Sequence, residues 1–150
     1  MTWQLGRAPR ALRGVACRCP HGFPAVTEQA PRTDDGTPFP TTFWLTCPWL
    51  AAALARIEAA GGVERWSALA AADPGLARSL ELADARQREL RPELDVGIGG
   101  ARARGKLKCL HAHVAFALAR PGYELGERVL AEAGEPWCPD ARCRSAVATQ

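Results

Sequence analysis

The stretch Lys108-Cys109-Leu110-His111-Ala112-His113 puts a thiol and two imidazoles within five residues. Those groups are soft and borderline metal ligands, and they are also a nucleophile and a base. Five further cysteines are available to meet them: Cys17, Cys19, Cys47, Cys138 and Cys143. The opening Met1-Thr2-Trp3-Gln4-Leu5-Gly6-Arg7 is not followed by an apolar run, so a secretory signal is not expected. The Leu/Ala-rich segments are too short and too charged to span a bilayer. The expected setting is cytoplasmic, where thiols stay reduced. Six cysteines there favour metal binding, redox chemistry or burial over a disulfide framework.

The elements that must position these groups follow from the chain pattern. A chain of 150 residues with 47% apolar composition can build one packed domain. Residues 1–14 carry Arg7, Arg10 and Arg13 with little periodicity and read as a loose basic arm; 15–137 read as a single α+β domain, and 138–150 as a frayed tail. Val15 to Cys19 alternates as a strand does, and Pro20 and Gly22 turn the chain. Ala25 to Gln29 is a second strand, and Asp35-Gly36 marks the tip of the connection to a third, Thr41 to Cys47, which is aromatic and β-branched. A small antiparallel sheet of about three strands is therefore expected, packed against four to five helices.

Pro48 suits the first position of a helix, which places Cys47 at the N-cap, where unpaired N–H groups and the macrodipole favour a thiolate. Leu50, Leu54 and Ile57 continue that helix to a stop at Gly61-Gly62. A short helix carries Trp66 and Leu69. Asp73-Pro74 opens another that ends at Arg91-Pro92, with Asp84 and Arg88 paired on a solvated face. Gly97-Ile98-Gly99-Gly100 breaks the helical run. A helix is then expected over 105–120, with Leu107, Leu110, Val114, Ala117 and Leu118 as its apolar stripe, and a last short one over 125–133. On the 105–120 helix Cys109 and His113 are four apart and share a face, while His111 points elsewhere.

Three stretches carry a resemblance. Cys19-Pro20-His21-Gly22-Phe23-Pro24, the run from Asp35 through Phe43-Trp44-Leu45-Thr46-Cys47-Pro48, and Gly97-Ile98-Gly99-Gly100 with Lys108 to His113 together resemble the bacterial family called domain of unknown function 501, over roughly residues 14 to 120. The family is uncharacterised, so the resemblance implies no reaction. It implies that Cys19, Cys47, Cys109, His111 and His113 belong to the shared pattern, and that Cys17, Cys138 and Cys143 are local additions.

Three readings of function stand side by side. The first is a metal site of Cys19, Cys47, Cys109 and His113, in the ratio that tetrahedral zinc takes, joining the sheet to the helix that carries Cys109. An iron–sulfur cluster is the less favoured cofactor. Beside it, Gly99, Gly100, Arg102, Lys106 and Lys108 can hold a small anionic or phosphorylated ligand, although the spacing is not that of a P-loop. The second is an enzyme, a thiolate- or metal-dependent hydrolase or transferase, with Cys47, Cys109 and His111 as its catalytic candidates. The third is a binding or adaptor protein acting through the basic arm or through Trp3, Trp49, Trp66 and Trp137. A net charge of +3 and the lack of any nucleic-acid motif argue against a nucleic-acid partner.

Overall fold

The computed structural model describes residues 2–148. A short helix α1 (Thr2–Leu5) precedes three strands, β1 (Leu12–Arg18), β2 (Pro24–Gln29) and β3 (Phe43–Leu45), which pair antiparallel in the order β1-β2-β3. Five longer helices follow: α2 (Pro48–Ala59), α3 (Gly62–Ala72), α4 (Pro74–Leu90), α5 (Leu110–Ala119) and α6 (Glu124–Glu132). A 3-10 turn at Ile98–Gly100 separates α4 from α5, and a short α7 (Cys143–Ala148) comes last. This is the α+β architecture expected from the alternation of patterns. Among the described residues no helix is long and apolar enough to cross a membrane.

The sheet is built around β2. Thr27 lies opposite Val15 on one side and Trp44 on the other, while Val26 pairs with Cys17 and Leu45. Ala25, Val26 and Thr27 are fully buried, so the polar groups of this strand need internal partners. Gln29 Nε2 donates to Thr27 Oγ1 at 2.6 Å, and the buried Arg91 guanidinium donates to the Gln29 carbonyl. The β2–β3 connection turns at Thr33 to Thr37. There Gly36 has φ +83° and donates its N–H to the Thr33 carbonyl at 2.9 Å.

The helices start where local chemistry directs. Pro48 opens α2 with Cys47 as its N-cap. Asp73 caps α4, accepting from the Gly75 and Leu76 N–H groups at 2.8 and 3.2 Å. Helix α4 turns Leu76, Leu80 and Ala83 inward at helical spacing. Helix α5 is the central one: Leu110 and His113 through Ala117 are all buried, against β3, α2 and α6. The tryptophans serve the packing. Trp66 is buried and donates to Glu132 Oε2 at 2.6 Å, and Trp49 donates to the Glu135 carbonyl at 2.8 Å. The Trp3 side chain lies outside the described residues.

Three expectations are corrected. The helix expected over 105–120 begins only at Leu110, because Gly105 sits at φ +70° and Cys109 is extended, with φ −156° and ψ 123°. Asp84 does not lie on a solvated face beside Arg88. Its carboxylate turns inward, 4% exposed, to accept the Ile98 N–H at 2.9 Å, and Arg88 pairs with Asp95 instead at 3.2 Å. Residues 138 to 148 do not fray as a block, since Cys138 and Cys143 are 7% and 5% exposed.

Candidate functional site

The N-terminus of α5 meets the end of α2. Glu58 stands in the last turn of α2, where the helix dipole disfavours a carboxylate. It is held there by what it receives. Glu58 Oε1 accepts the Leu110 N–H at 2.7 Å and faces His111 Nδ1 at 3.1 Å. Cys109, the N-cap of α5, makes no side-chain cap, so the carboxylate from α2 does that work across the helix junction. The second ring nitrogen, His111 Nε2, lies 3.0 Å from the Ala51 carbonyl. A carbonyl only accepts, so Nε2 carries a proton and Nδ1 is the nitrogen turned to Glu58 and Cys109.

Ligand atoms of Glu58, Cys109 and His111 all lie within 4.8 Å of one another. Cys109 beside the ring, ahead of Glu58, raises the His111 imidazole to about 9 against the effect of burial. Burial pushes the Glu58 carboxyl up, but His111 and the Leu110 N–H outweigh it and hold the group below its ordinary value. The group thus gathers positive charge at one point, the Nδ1 proton, between an acid and a thiol. A divalent cation would take the place of that proton.

Cys109 and His111 of this group line a cavity of about 300 Å³. Thr41, Phe43, Trp44 and Leu45 from the strand side form one wall; Gly99, Cys109, His111 and Ala112 form the other. Gly99 is required for close approach: at φ +69°, an added Cβ would stand 3.2 Å from the Ala112 Cβ. Gly100 packs on Pro40 in the same way. The turn is pinned from below by Asp84, through the Ile98 N–H.

A model of the family described as "Protein of unknown function (DUF501)" matches residues 15–95 and 82–131. The chain belongs to the DUF501 family. No curated protein and no solved structure matches it. The resemblance seen in the motifs is therefore confirmed over most of the chain, and all residues lining the larger cavity fall within the matched DUF501 region.

The four residues expected to share one metal are separated in this DUF501 chain. Cys47 starts α2 and Glu58 follows eleven residues on, about 16 Å along the axis. Cys109 sits beside Glu58, so it cannot share an ion with Cys47. Cys19 and Cys47 instead line a second, much smaller cavity with Cys138 and Cys143. His113 lines neither. It is fully buried, its Nδ1 lies 2.7 Å from the Tyr123 hydroxyl, and burial lowers its pKa to about 4. The expected pairing of Cys109 with His113 fails because Cys109 precedes the helix, so i,i+4 spacing does not apply to it. His111 is the imidazole that accompanies the thiol. Of the anion-site candidates, Gly99 lines the cavity, whereas Arg102, Lys106 and Lys108 are exposed on the segment that leads to Cys109. Glu58 was not singled out from the sequence. The one local sign was an acid in the last turn of a helix.

Proposed function

We propose that Glu58, Cys109 and His111 hold a divalent metal ion, zinc by its donor chemistry, with the remaining coordination position open to the 300 Å³ cavity. The observation that carries this reading is the convergence of three donors within 4.8 Å, with His111 tethered through Nε2 to Ala51. Metal-binding histidines ordinarily donate their second N–H to a carbonyl or carboxylate, which fixes the tautomer and the ring. Three protein ligands with an open fourth position is the arrangement of catalytic rather than structural zinc. Held by Glu58, Cys109 and His111, an ion would polarise an acyl or phosphoryl oxygen and lower the pKa of bound water. The reaction class this would support is hydrolysis of a small acyl or phosphorylated substrate, in which water would be divided between the acyl or phosphoryl centre, which takes the hydroxyl, and the leaving group, which takes the proton. Arg102, Lys106 and Lys108 give the approach a positive potential suited to an anion. A cytoplasmic setting keeps Cys109 reduced and able to ligate.

A thiolate–imidazole pair is the weaker reading. Cys109 is the strongest influence on the ring and raises it, but Nδ1 is shared with Glu58 at 3.1 Å and Nε2 is held by the Ala51 carbonyl at 3.0 Å, so the imidazole is not free to turn towards a substrate. The test is elemental analysis of chain purified without a metal-affinity tag. His111→Ala and Cys109→Ser are each expected to lose one equivalent of zinc relative to the unsubstituted chain, and His113→Phe to lose none. Unchanged zinc in both of the first two variants would overturn the reading.

A further inference from the structure

The smaller cavity has a different character from the one at α5. It measures about 10 Å³, room for a single atom-sized guest, and Cys19, Cys47, Cys138 and Cys143 all line it. None of these cysteines is in a disulfide. We propose that these four cysteines form a second metal site, a tetrahedral zinc tetrathiolate that fastens the 138–148 segment to the sheet and to the start of α2.

Each thiol is presented by a backbone turn. Cys19 opens the β1–β2 turn Cys19-Pro20-His21-Gly22, closed by Cys19 N–H to Phe23 O and Gly22 N–H to Cys19 O, both 2.9 Å, with Gly22 at φ +85°. Cys47 is the N-cap of α2, where the helix amides give its sulfur a favourable field. Cys138 and Cys143 flank Pro139 to Arg142, a loop bent by Ala141 at φ +45°, a conformation L-residues seldom adopt. Three parts of the chain, the β1–β2 turn, the start of α2 and the 138–143 loop, thus bring four cysteines to the lining of one small cavity.

The chemistry at that point fits a cation. Four cysteines around one small apolar cavity offer a soft S4 donor set, which selects zinc over calcium or magnesium. Binding draws the sulfurs in, since zinc holds each at roughly 2.3 Å. His21 also lines the cavity, with its Nε2 2.8 Å from the Cys138 carbonyl, and the four thiols complete a tetrahedral set without it. Arg142, stacked 4.5 Å from the Trp49 ring centroid, holds the loop from the outer side. Cys17 is outside the cavity lining.

The test uses the full chain with zinc exchanged for cobalt(II), whose spectrum reports geometry and sulfur count. The expected result is the strong sulfur-to-cobalt charge transfer and intense visible bands of a tetrahedral tetrathiolate. These are lost in Cys143→Ser, kept in Cys17→Ser, and kept in Cys109→Ser and His111→Ala, which test only the site at α5. Should Cys143→Ser fail to fold, Cys143→His, which keeps a ligand, is expected to fold and to shift the spectrum to that of three sulfurs and one nitrogen. A chain that binds no cobalt through sulfur, or a spectrum indifferent to Cys138→Ser and Cys143→His, would overturn the proposal. Zinc counts keep the two sites apart: loss of one equivalent on Cys138→Ser with retention on His111→Ala supports the tetrathiolate even if no metal binds beside α5.

Discussion

Replacing Glu58 tests how α5 is anchored as well as what its carboxylate can bind. Its Oε1 serves the Leu110 N–H at 2.7 Å and His111 Nδ1 at 3.1 Å, with the side chains of both Glu58 and His111 27% exposed. Loss of an acceptor at a helix start costs about 1 kcal/mol. A charge-assisted bond is worth about 1.5–3 kcal/mol when shielded, and we take roughly 1 kcal/mol here because water reaches the pair. Glu58→Ala should then cost about 2 kcal/mol, a fall in Tm of roughly 4–8 °C for a domain of this size. Glu58→Gln keeps an acceptor for Leu110 and should cost about half as much. Both are measured by denaturant unfolding of metal-free chain, so that lost metal affinity does not add to the difference. An Ala variant as stable as the original would refute the capping role. A Gln variant as damaged as the Ala variant would show that the charge, and not the Leu110 contact, holds the junction.

Four further substitutions probe the core around this junction. Tyr123→Phe leaves the fully buried His113 without its partner and should cost about 1–3 kcal/mol; combined with His113→Leu the cost should fall short of the sum, and strict additivity would contradict the pairing. Gly126→Ala should destabilise by about 1–3 kcal/mol, because an added Cβ would stand 2.7 Å from the His113 carbonyl and the Ala117 Cβ; unchanged thermal unfolding would show that α5 and α6 part without cost. Burial raises the Asp84 carboxyl, against the Ile98 N–H and then Arg88 and Arg104. The folded chain holds that proton where the unfolded chain has released it, so stability falls as pH rises from about 4 through the raised value. Asp84→Asn keeps the acceptor for Ile98 and lacks this titration. Its stability relative to the original chain should improve across that window, and a gap that does not change with pH would sink the argument.

Much of the fold was legible because its signals are local. Pro48 after Cys47, Asp73 before Pro74, and Gly61 at φ +83° act through a few neighbouring bonds, and the helices begin and end where those residues direct. The strands from Ala25 and Phe43 follow from residue types that suit a pleated, buried surface. The start of α5 was misread for an equally physical reason. Leu107 and Leu110 carry a helical spacing, but Leu107 reaches the core from extended backbone, and nothing in the spacing distinguishes the two. That error moved Cys109 onto a helix face it does not occupy and chose His113 over His111. Asp84 was misread in the same manner, since i,i+4 charge spacing says nothing about which way the carboxylate turns.

The sequence by itself determined which donor types are on offer, thiols and imidazoles on turns and helix starts, and a three-stranded sheet with helices behind it. It also marked Cys109 and His111 as worth watching. Which of those groups meet was decided by tertiary structure alone. Glu58 comes to Cys109 and His111 because α5 docks its N-terminus on the last turn of α2. Cys138 and Cys143 come to Cys19 and Cys47 because the segment after α6 returns to the sheet. Meetings between residues so far apart in the chain, from Glu58 with Cys109 to Cys19 with Cys143, depend on how helices pack, and packing is set by the whole core; no local pattern carries it.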